Sequence, residues 1–276
     1  MELNKKIIDD IIKKIKENKK YRSISNSVIE KEIEIYSKKN ILNEDKETIK
    51  QIRSNLHKSY SSFQTRKKLK SKKLLEELKE KINNKKSIEE ISKELLSITL
   101  STKERLDSYS TIYEKIFSEI KKPKTIIDLG SGLNPISILL TNLKNIDYFS
   151  YDIDEEDFKL LNDFFQIIKS QGINGKASIL DLRDFQNVSK LPEADIILLF
   201  KVLDILDKDD HKTSEEIIKI LIKKSKLIVV SFATKTLTRK KMNFPNRKWF
   251  ELMLERNNHN FKTLIFENEI FYIIWN

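Results

Sequence analysis

Only four glycines occur in the 276 residues, and two of them fall in one octapeptide, Asp128-Leu129-Gly130-Ser131-Gly132-Leu133-Asn134-Pro135. Glycine is needed where backbone takes positive φ or approaches a ligand closely. A pair of glycines in so glycine-poor a chain therefore marks a binding loop. The third glycine of the dinucleotide fingerprint is missing and Pro135 stands at the head of the next helix, which fits a ligand without a pyrophosphate. Two acids end later apolar runs, Asp152 in YFSYDID and Asp181 in SILDL. An ionised carboxylate only accepts hydrogen bonds. That suits Asp152 to a pair of ribose hydroxyls and Asp181 to the amino group of adenine. Arg105 lies in the first turn of a helix opened by Ser101. A guanidinium grips a carboxylate through two parallel hydrogen bonds, and a helix N-terminus favours an anion. Singly, each Asp is also an ordinary cap or turn residue and Arg105 an ordinary surface arginine. As an ordered set they describe the parts of S-adenosyl-L-methionine: a nucleoside, a sulfonium and a terminal amino acid.

The elements that must position these residues change character near residue 121. Before it, apolar residues recur at helical spacing, as in Ile8, Ile11, Ile12 and Ile15, or Leu74, Leu75, Leu78 and Ile82. Capping boxes stand at Ser27/Glu30, Ser87/Glu90 and Ser101/Glu104, and the last of these predicts a helix from about 102 to 120. No Pro or Gly occurs before Pro123. After it, β-branched runs alternate with amphipathic helices: TIIDLG, a helix opened by Pro135, IDYFSYDID, KASILDL, ADIILLFKVL, KLIVVSF, then FKTLIFEN and IFYIIWN as an antiparallel final pair. This alternation predicts an α/β fold of the class I methyltransferase type, Rossmann-like, with a seven-stranded mostly parallel sheet. Residues 1–121 are expected to form an all-helical domain and residues 122–276 the cofactor-binding domain.

Charge divides at the same place. Residues 1–121 hold 30 Lys and Arg against 20 Asp and Glu, and residues 122–276 hold 23 against 22, so nearly all of the net +11 lies in the first part. A basic helical region before a neutral catalytic one points to a polyanionic partner held by the first. The run from Arg66 to Lys73 places six cations, Arg66, Lys67, Lys68, Lys70, Lys72 and Lys73, in eight positions. Charged residues make up 34% and no apolar run approaches the ~20 residues of a span, which excludes a membrane protein. The first 20 residues carry acids throughout and read as an amphipathic helix, not a signal peptide, so a cytoplasmic protein is expected, and a monomer. The lack of cysteine excludes disulfides, thiolate metal sites and the covalent cysteine route to carbon-5 methylation of pyrimidines. Three scattered histidines give no metal site.

Four segments resemble the 16S rRNA guanine-N(7) methyltransferases that confer aminoglycoside resistance: Ser101-Thr102-Lys103-Glu104-Arg105-Leu106, the DLGSGLNP loop at 128–135, Leu199-Phe200-Lys201-Val202-Leu203, and Val230-Ser231-Phe232 through Lys235-Thr236-Leu237 with Trp249-Phe250-Glu251. Lys20-Tyr21-Arg22, Arg53, His57, Tyr60 and Phe63 extend the likeness toward the N-terminus. The resemblance implies that Arg105 binds the cofactor carboxylate, that Thr99, Leu100 and Ser101 line the cofactor, and that Gly130 and Gly132 form its loop. It implies that Asp152 takes the ribose, Asp181 and Leu182 the adenine, with Phe200 a pocket wall and Phe63 an aromatic that closes over the cofactor. The sequence departs from that family at Thr99, where His is common, at Asp204, where Pro is common, and at Thr238-Arg239, where a glycine pair is common.

The implied substrate is a decoding-site guanine of 16S rRNA within the 30S subunit. Guanine N(7) carries a lone pair and no proton, so no general base is needed and positioning carries the reaction. Lys201, Lys235 and Arg239 are the positioning candidates. The segment after the fifth strand, with Lys235, Arg239, Lys240 and Lys241, is expected to grip phosphate. No Asn/Asp-Pro-Pro-aromatic motif follows the fourth strand, which argues against methylation of an exocyclic amine. Two other readings stay open at this point: a methyltransferase acting on another RNA or a small molecule, and a non-catalytic RNA-binding protein of methyltransferase-like fold.

Overall fold

The computed structural model describes residues 5–59, 70–207, 211–235 and 245–276. Among these, every element before Thr125 is helical: α1 (Lys5–Glu17), α2 (Asn26–Ser37), α3 (Lys46–Ser59), α4 (Ser71–Asn83), α5 (Glu89–Leu96), α6 (Leu100–Lys103) and α7 (Tyr109–Glu119). Spacing of three and four residues puts Ile11, Ile12 and Ile15 on one face of α1, Val28, Ile29 and Ile33 on one face of α2, and Ile49, Ile52 and Leu56 on one face of α3. These faces close on one another with Tyr21 and Ile24 into a core of their own, touched from outside by Ile153. Burial of each such side chain contributes roughly 1.5–3 kcal/mol.

Helices α4, α5 and α7 bury Leu75, Leu78, Ile91, Leu95, Ile112 and Ile116 in a different core, shared with the sheet residues Ile126, Tyr148 and Phe271. Residues 1–70 hold 19 Lys and Arg against 10 Asp and Glu, whereas residues 71–121 hold 11 against 10, so the basic excess and the apolar packing both change between α3 and α4. The opposite face of the sheet is covered by apolar residues of the later helices, among them Ile217, Ile218, Leu221, Phe250 and Leu254.

The sheet comprises β1 (Thr125–Leu129), β2 (Ile146–Asp152), β3 (Ile173–Ile179), β4 (Ala194–Phe200), β5 (Ser225–Ala233), β6 (Asn260–Ile265) and β7 (Glu269–Trp275), in the order β3-β2-β1-β4-β5-β7-β6. The first five strands run parallel, with Leu129 level with Tyr151 and Phe200 with Ser231; β7 pairs antiparallel with both β5 and β6. Helices on both faces explain why β1 and β4 are apolar without alternation. The chain crosses between them through α8 (Glu155–Ile168) and the short α9 (Phe185–Val188), and continues through α10 (Leu203–Leu206), α11 (Lys212–Leu221) and α12 (Lys248–Arg256). The strand order reverses between β1 and β4, which opens a crevice at their carboxyl ends. Among the described residues no helix is long and apolar enough to cross a membrane.

Three local expectations need correction. Helix α2 is capped by Ser25, and α6 by Thr99, each two residues before the serine of the sequence-level box, and neither cap side chain makes the capping hydrogen bond. The helix expected over 102–120 is two helices, α6 and α7, joined by a turn in which Arg105 N–H donates to the Thr102 carbonyl, Leu106 N–H to that of Lys103 and Ser108 N–H to that of Arg105. The segment after Pro135 is a 3-10 helix, Asn134–Leu140, not an α-helix. Its backbone bonds run from Ile136 N–H to the Leu133 carbonyl and from Thr141 N–H to that of Ile138, the spacing of that tighter helix.

Candidate cofactor site

One cavity at the carboxyl ends of β1, β2 and β4 gathers most of the predicted residues: Thr99, Ser101, Arg105, Gly130, Gly132, Asp152, Asp181, Leu182, Phe200 and Lys201 all line it. Leu100 does not; the extended backbone at Thr99 turns successive side chains to opposite sides. Lys235 also lies off the cavity wall, paired with Glu267 at 2.7 Å. Phe63, Arg66, Lys67, Lys68, Arg239, Lys240 and Lys241 lie outside the described residues. Lys70, Lys72 and Lys73 are exposed at the start of α4.

The loop after β1 has positive φ at both glycines, +63° at Gly130 and +47° at Gly132. A Cβ on Gly130 would sit 2.6 Å from Cγ2 of Val202, so glycine there is required twice over, by conformation and by space. Around Gly132 nothing lies within 4 Å of the Cβ position. Its N–H donates to Oδ2 of Asp152 at 2.7 Å, and Oδ1 of Asp152 accepts from the N–H of Ile153 at 2.6 Å. Burial pushes the Asp152 carboxyl up and these N–H groups oppose the rise. The strand end thus holds an aimed acceptor against an open glycine.

Arg105 enters from the joint between α6 and α7 and is 3% exposed. Its Nε donates to Oε2 of Glu269 at 2.7 Å, and Nη1 to Oδ1 of Asn134 at 3.4 Å. Asn134 also accepts from the hydroxyl of Tyr109 at 2.9 Å and donates to Oδ2 of Asp128 at 2.8 Å. Glu269 accepts from the Ser231 hydroxyl as well. Burial disfavours the Arg105 charge, but the carboxylate of Glu269 outweighs it and raises the pKa above the ordinary value. Nη2 of Arg105 is buried without a hydrogen-bond partner. An unpartnered buried guanidinium nitrogen on a cavity wall is costly unless a ligand acceptor meets it, and the carboxylate of an amino-acid moiety fits that need.

Phe200 lies under the guanidinium at 5.0 Å and packs edge-on against Phe271 at 5.2 Å. Lys201 follows with φ +55° and pairs with Glu104 at 2.8 Å and more distantly with Glu269 at 3.9 Å. Its ammonium is therefore largely neutralised by the chain itself. Asp181 meets Arg183 through both carboxylate oxygens, at 3.0 Å to Nε and 2.7 Å to Nη2. Burial raises the Asp181 carboxyl, yet Arg183 more than reverses this and holds it below its usual range.

Sequence reasoning missed Arg183, Asp154, Asp157 and Val202 on the wall and Glu269 behind it. Glu269 alone left a signal: an acid opening the wholly apolar run IFYIIW, which needs a partner once buried. Asp204, the departure from the family's proline, makes an ion pair of 2.9 Å with Arg247 and so ties α10 to the entry of α12.

A doubly wound sheet with an antiparallel last pair, a glycine loop after β1 and an acid ending β2 form the fold and site of the class I S-adenosylmethionine-dependent methyltransferases. The model of the ribosomal RNA methyltransferase (FmrO) family matches residues 17–273, and the chain belongs to that family. The 16S rRNA (guanine(1405)-N(7))-methyltransferase of Micromonospora rosea is 30% identical over 185 residues, 66% of this chain and 65% of that protein. The match thus spans just under two thirds of that relative's length. The enzyme of the same name from Proteus mirabilis is 26% identical over 205 residues, 70% of each chain. The solved structure of the 16S rRNA methyltransferase RmtF with S-adenosyl-L-homocysteine superposes with a TM-score of 0.78 over 100% of both chains at 20% identity, which shows the same fold.

Proposed function

We propose that the protein transfers a methyl group from S-adenosyl-L-methionine to N(7) of a decoding-site guanine in 16S rRNA of the 30S subunit, with aminoglycoside resistance as a consequence. The observation that carries this reading is Arg105, which lines the same cavity as the Asp152–Gly132 pair and holds a buried Nη2 without a hydrogen-bond partner, in a member of an rRNA methyltransferase family. The cofactor, when bound, supplies an electrophilic methyl on sulfonium. Arg105 receives its carboxylate, Asp152 its ribose hydroxyls, and Asp181 with Leu182 its adenine, between the walls of Phe200 and Val202. Thr99 and Ser101 close the cavity beside Arg105. Phe63 is proposed to cover it.

The chain needs no proton acceptor for this chemistry, since guanine N(7) has a lone pair ready. Charge pairing of Lys201 with Glu104 agrees with a positioning part rather than that of a base. We assign RNA contact to Arg66, Lys67, Lys68, Lys70, Lys72 and Lys73, and to Lys235, Arg239, Lys240 and Lys241 after β5. The helical residues 1–121 serve as the rRNA-docking domain and residues 122–276 as the methyltransferase domain; α4, α5 and α7 precede the boundary in sequence and pack with the second. Cytoplasmic residence follows from a substrate of this kind, and the protein is proposed to act as a monomer. Incubation of 30S subunits with methyl-labelled cofactor, followed by nucleoside analysis, tests the reading. Labelled 7-methylguanosine supports it, and labelled 1-methyladenosine or no transfer overturns it.

A further inference from the structure

A chain of charges links the N-terminal helices to the adenine end of the cavity. Arg183 spends Nε and Nη2 on Asp181 and turns Nη1 to Oε1 of Glu32 on α2, 151 residues away. Glu32 is 1% exposed, and its other oxygen has no hydrogen-bond partner. A buried carboxylate is costly without a paired cation, so α2 is held where it is by the guanidinium that also holds Asp181. The same helices grip the strand end carrying Asp152. Ser25 N–H donates to the Ile153 carbonyl at 3.1 Å, Glu155 N–H to the Ser23 carbonyl at 2.8 Å, and the Ser23 hydroxyl to Asp154 at 3.1 Å. Asp154 in turn caps α8. Both acids that face the nucleoside are thus braced by residues 23–32.

We propose that Arg183 is a positioning residue that aims Asp181 at the amino group of adenine, and that Glu32 of α2 holds Arg183 in that pose, so the adenine end of the site is complete only with the N-terminal helices docked. This rests on the cofactor reading above. Two oxygens fixed by a fork of N–H groups leave the carboxylate one orientation, and the fork itself is anchored from α2. Cofactor binding and helix docking are then coupled, and each strengthens the other by the same factor.

The test compares S-adenosyl-L-homocysteine with its 6-deamino analogue, which carries purine in place of adenine. Affinities are measured by calorimetry for the full chain and for Arg183→Met and Glu32→Gln. The wild type should prefer the amino compound about tenfold or more, as for a hydrogen bond to a charged group. Arg183→Met should bring the ratio close to one, and Glu32→Gln should lower it by several-fold while circular dichroism shows both variants folded. A merely structural role for Arg183 would weaken both ligands equally and keep the ratio. An unchanged ratio in folded variants overturns the proposal, and so does a raised one, which would make Arg183 a competitor for Asp181. Failure of the wild type to bind the homocysteine at all would instead overturn the cofactor reading. If Arg183→Met does not fold, Glu32→Gln alone decides, by the same ratio.

Discussion

Arg105 does two separable things, and two substitutions at that position pull them apart. Arg105→Ala removes the Nε–H that meets Glu269 at 2.7 Å, where both side chains are 3% exposed. Stripping one partner from a buried pair costs about 3–5 kcal/mol. The Ser231 hydroxyl remains on Glu269 and Lys201 stands 3.9 Å away, so the lower end, about 3 kcal/mol, is expected. For a chain of this size that lowers Tm by roughly 6–12 °C. Arg105→Lys keeps a cation for Glu269 and loses the fork, including Nη2. Its Tm should fall by less than half as much as that of the alanine variant. Its affinity for S-adenosyl-L-homocysteine should drop about tenfold or more, the loss expected for a charge-assisted hydrogen bond. Differential scanning calorimetry and isothermal titration calorimetry read the two effects. Wild-type ligand affinity in Arg105→Lys would refute the assignment of Nη2 to the cofactor carboxylate. An alanine variant that melts with the wild type would refute the buried-pair argument.

Other consequences are equally direct. Gly130→Ala places a methyl against Val202 at a φ of +63°, so it should destabilise by about 2–3 kcal/mol in urea titration; adding Val202→Ala should recover the steric part and leave the strain of about 1–2 kcal/mol. No recovery would show that the contact is not the cause. Burial raises Asp128 from 3.8 to about 6, against its hydrogen bonds from Asn134 and Tyr148. Between those values the folded chain binds a proton that the unfolded one has lost, so this group's stabilising effect is full below pH 3.8 and falls by up to about 3 kcal/mol as pH rises toward 6. Asp128→Asn should flatten urea-derived stability over that window, and an unchanged slope would contradict the burial argument. Reversal of Lys70, Lys72 and Lys73 to Glu should weaken 30S binding and reduce its log–log salt slope by as much as about 2–3. Cofactor affinity should stay as it was, and an unchanged salt slope would leave these lysines as plain solvated surface.

The sheet was legible because β1, β4, β5 and β7 are compact β-branched or aromatic runs between polar turns, and the site loop because glycine is scarce in this chain. Asp152 and Asp181 could be placed since strand ends are visible in sequence and open α/β folds bind ligands there. What the sequence hid was pairing across distance. Arg105 and Glu269 are 164 residues apart, and Glu32 and Arg183 are 151 apart. No local period reports such a partner. The split of α6 from α7 was hidden because every residue from Thr102 to Ile120 tolerates a helix, and no Pro or Gly marks the turn between the two. The basic excess of residues 1–121 lies almost wholly before α4, and the packing of α4, α5 and α7 onto the sheet was hidden, since an amphipathic helix does not say which core its apolar face meets.

The central claim is methylation of guanine N(7), and the chemistry of that product supplies the decisive measurement. A 7-methylguanine in RNA is cleaved by borohydride and aniline, whereas unmodified guanine is not. Treated 30S subunits are reacted with the two reagents, and primer extension is run through the decoding region of the 16S rRNA. The predicted result is a new stop at a single decoding-site guanine that appears only after the chemical treatment and only with active enzyme. A stop without treatment, as a methyl on a Watson–Crick edge gives, or no stop in this region, would contradict the assignment.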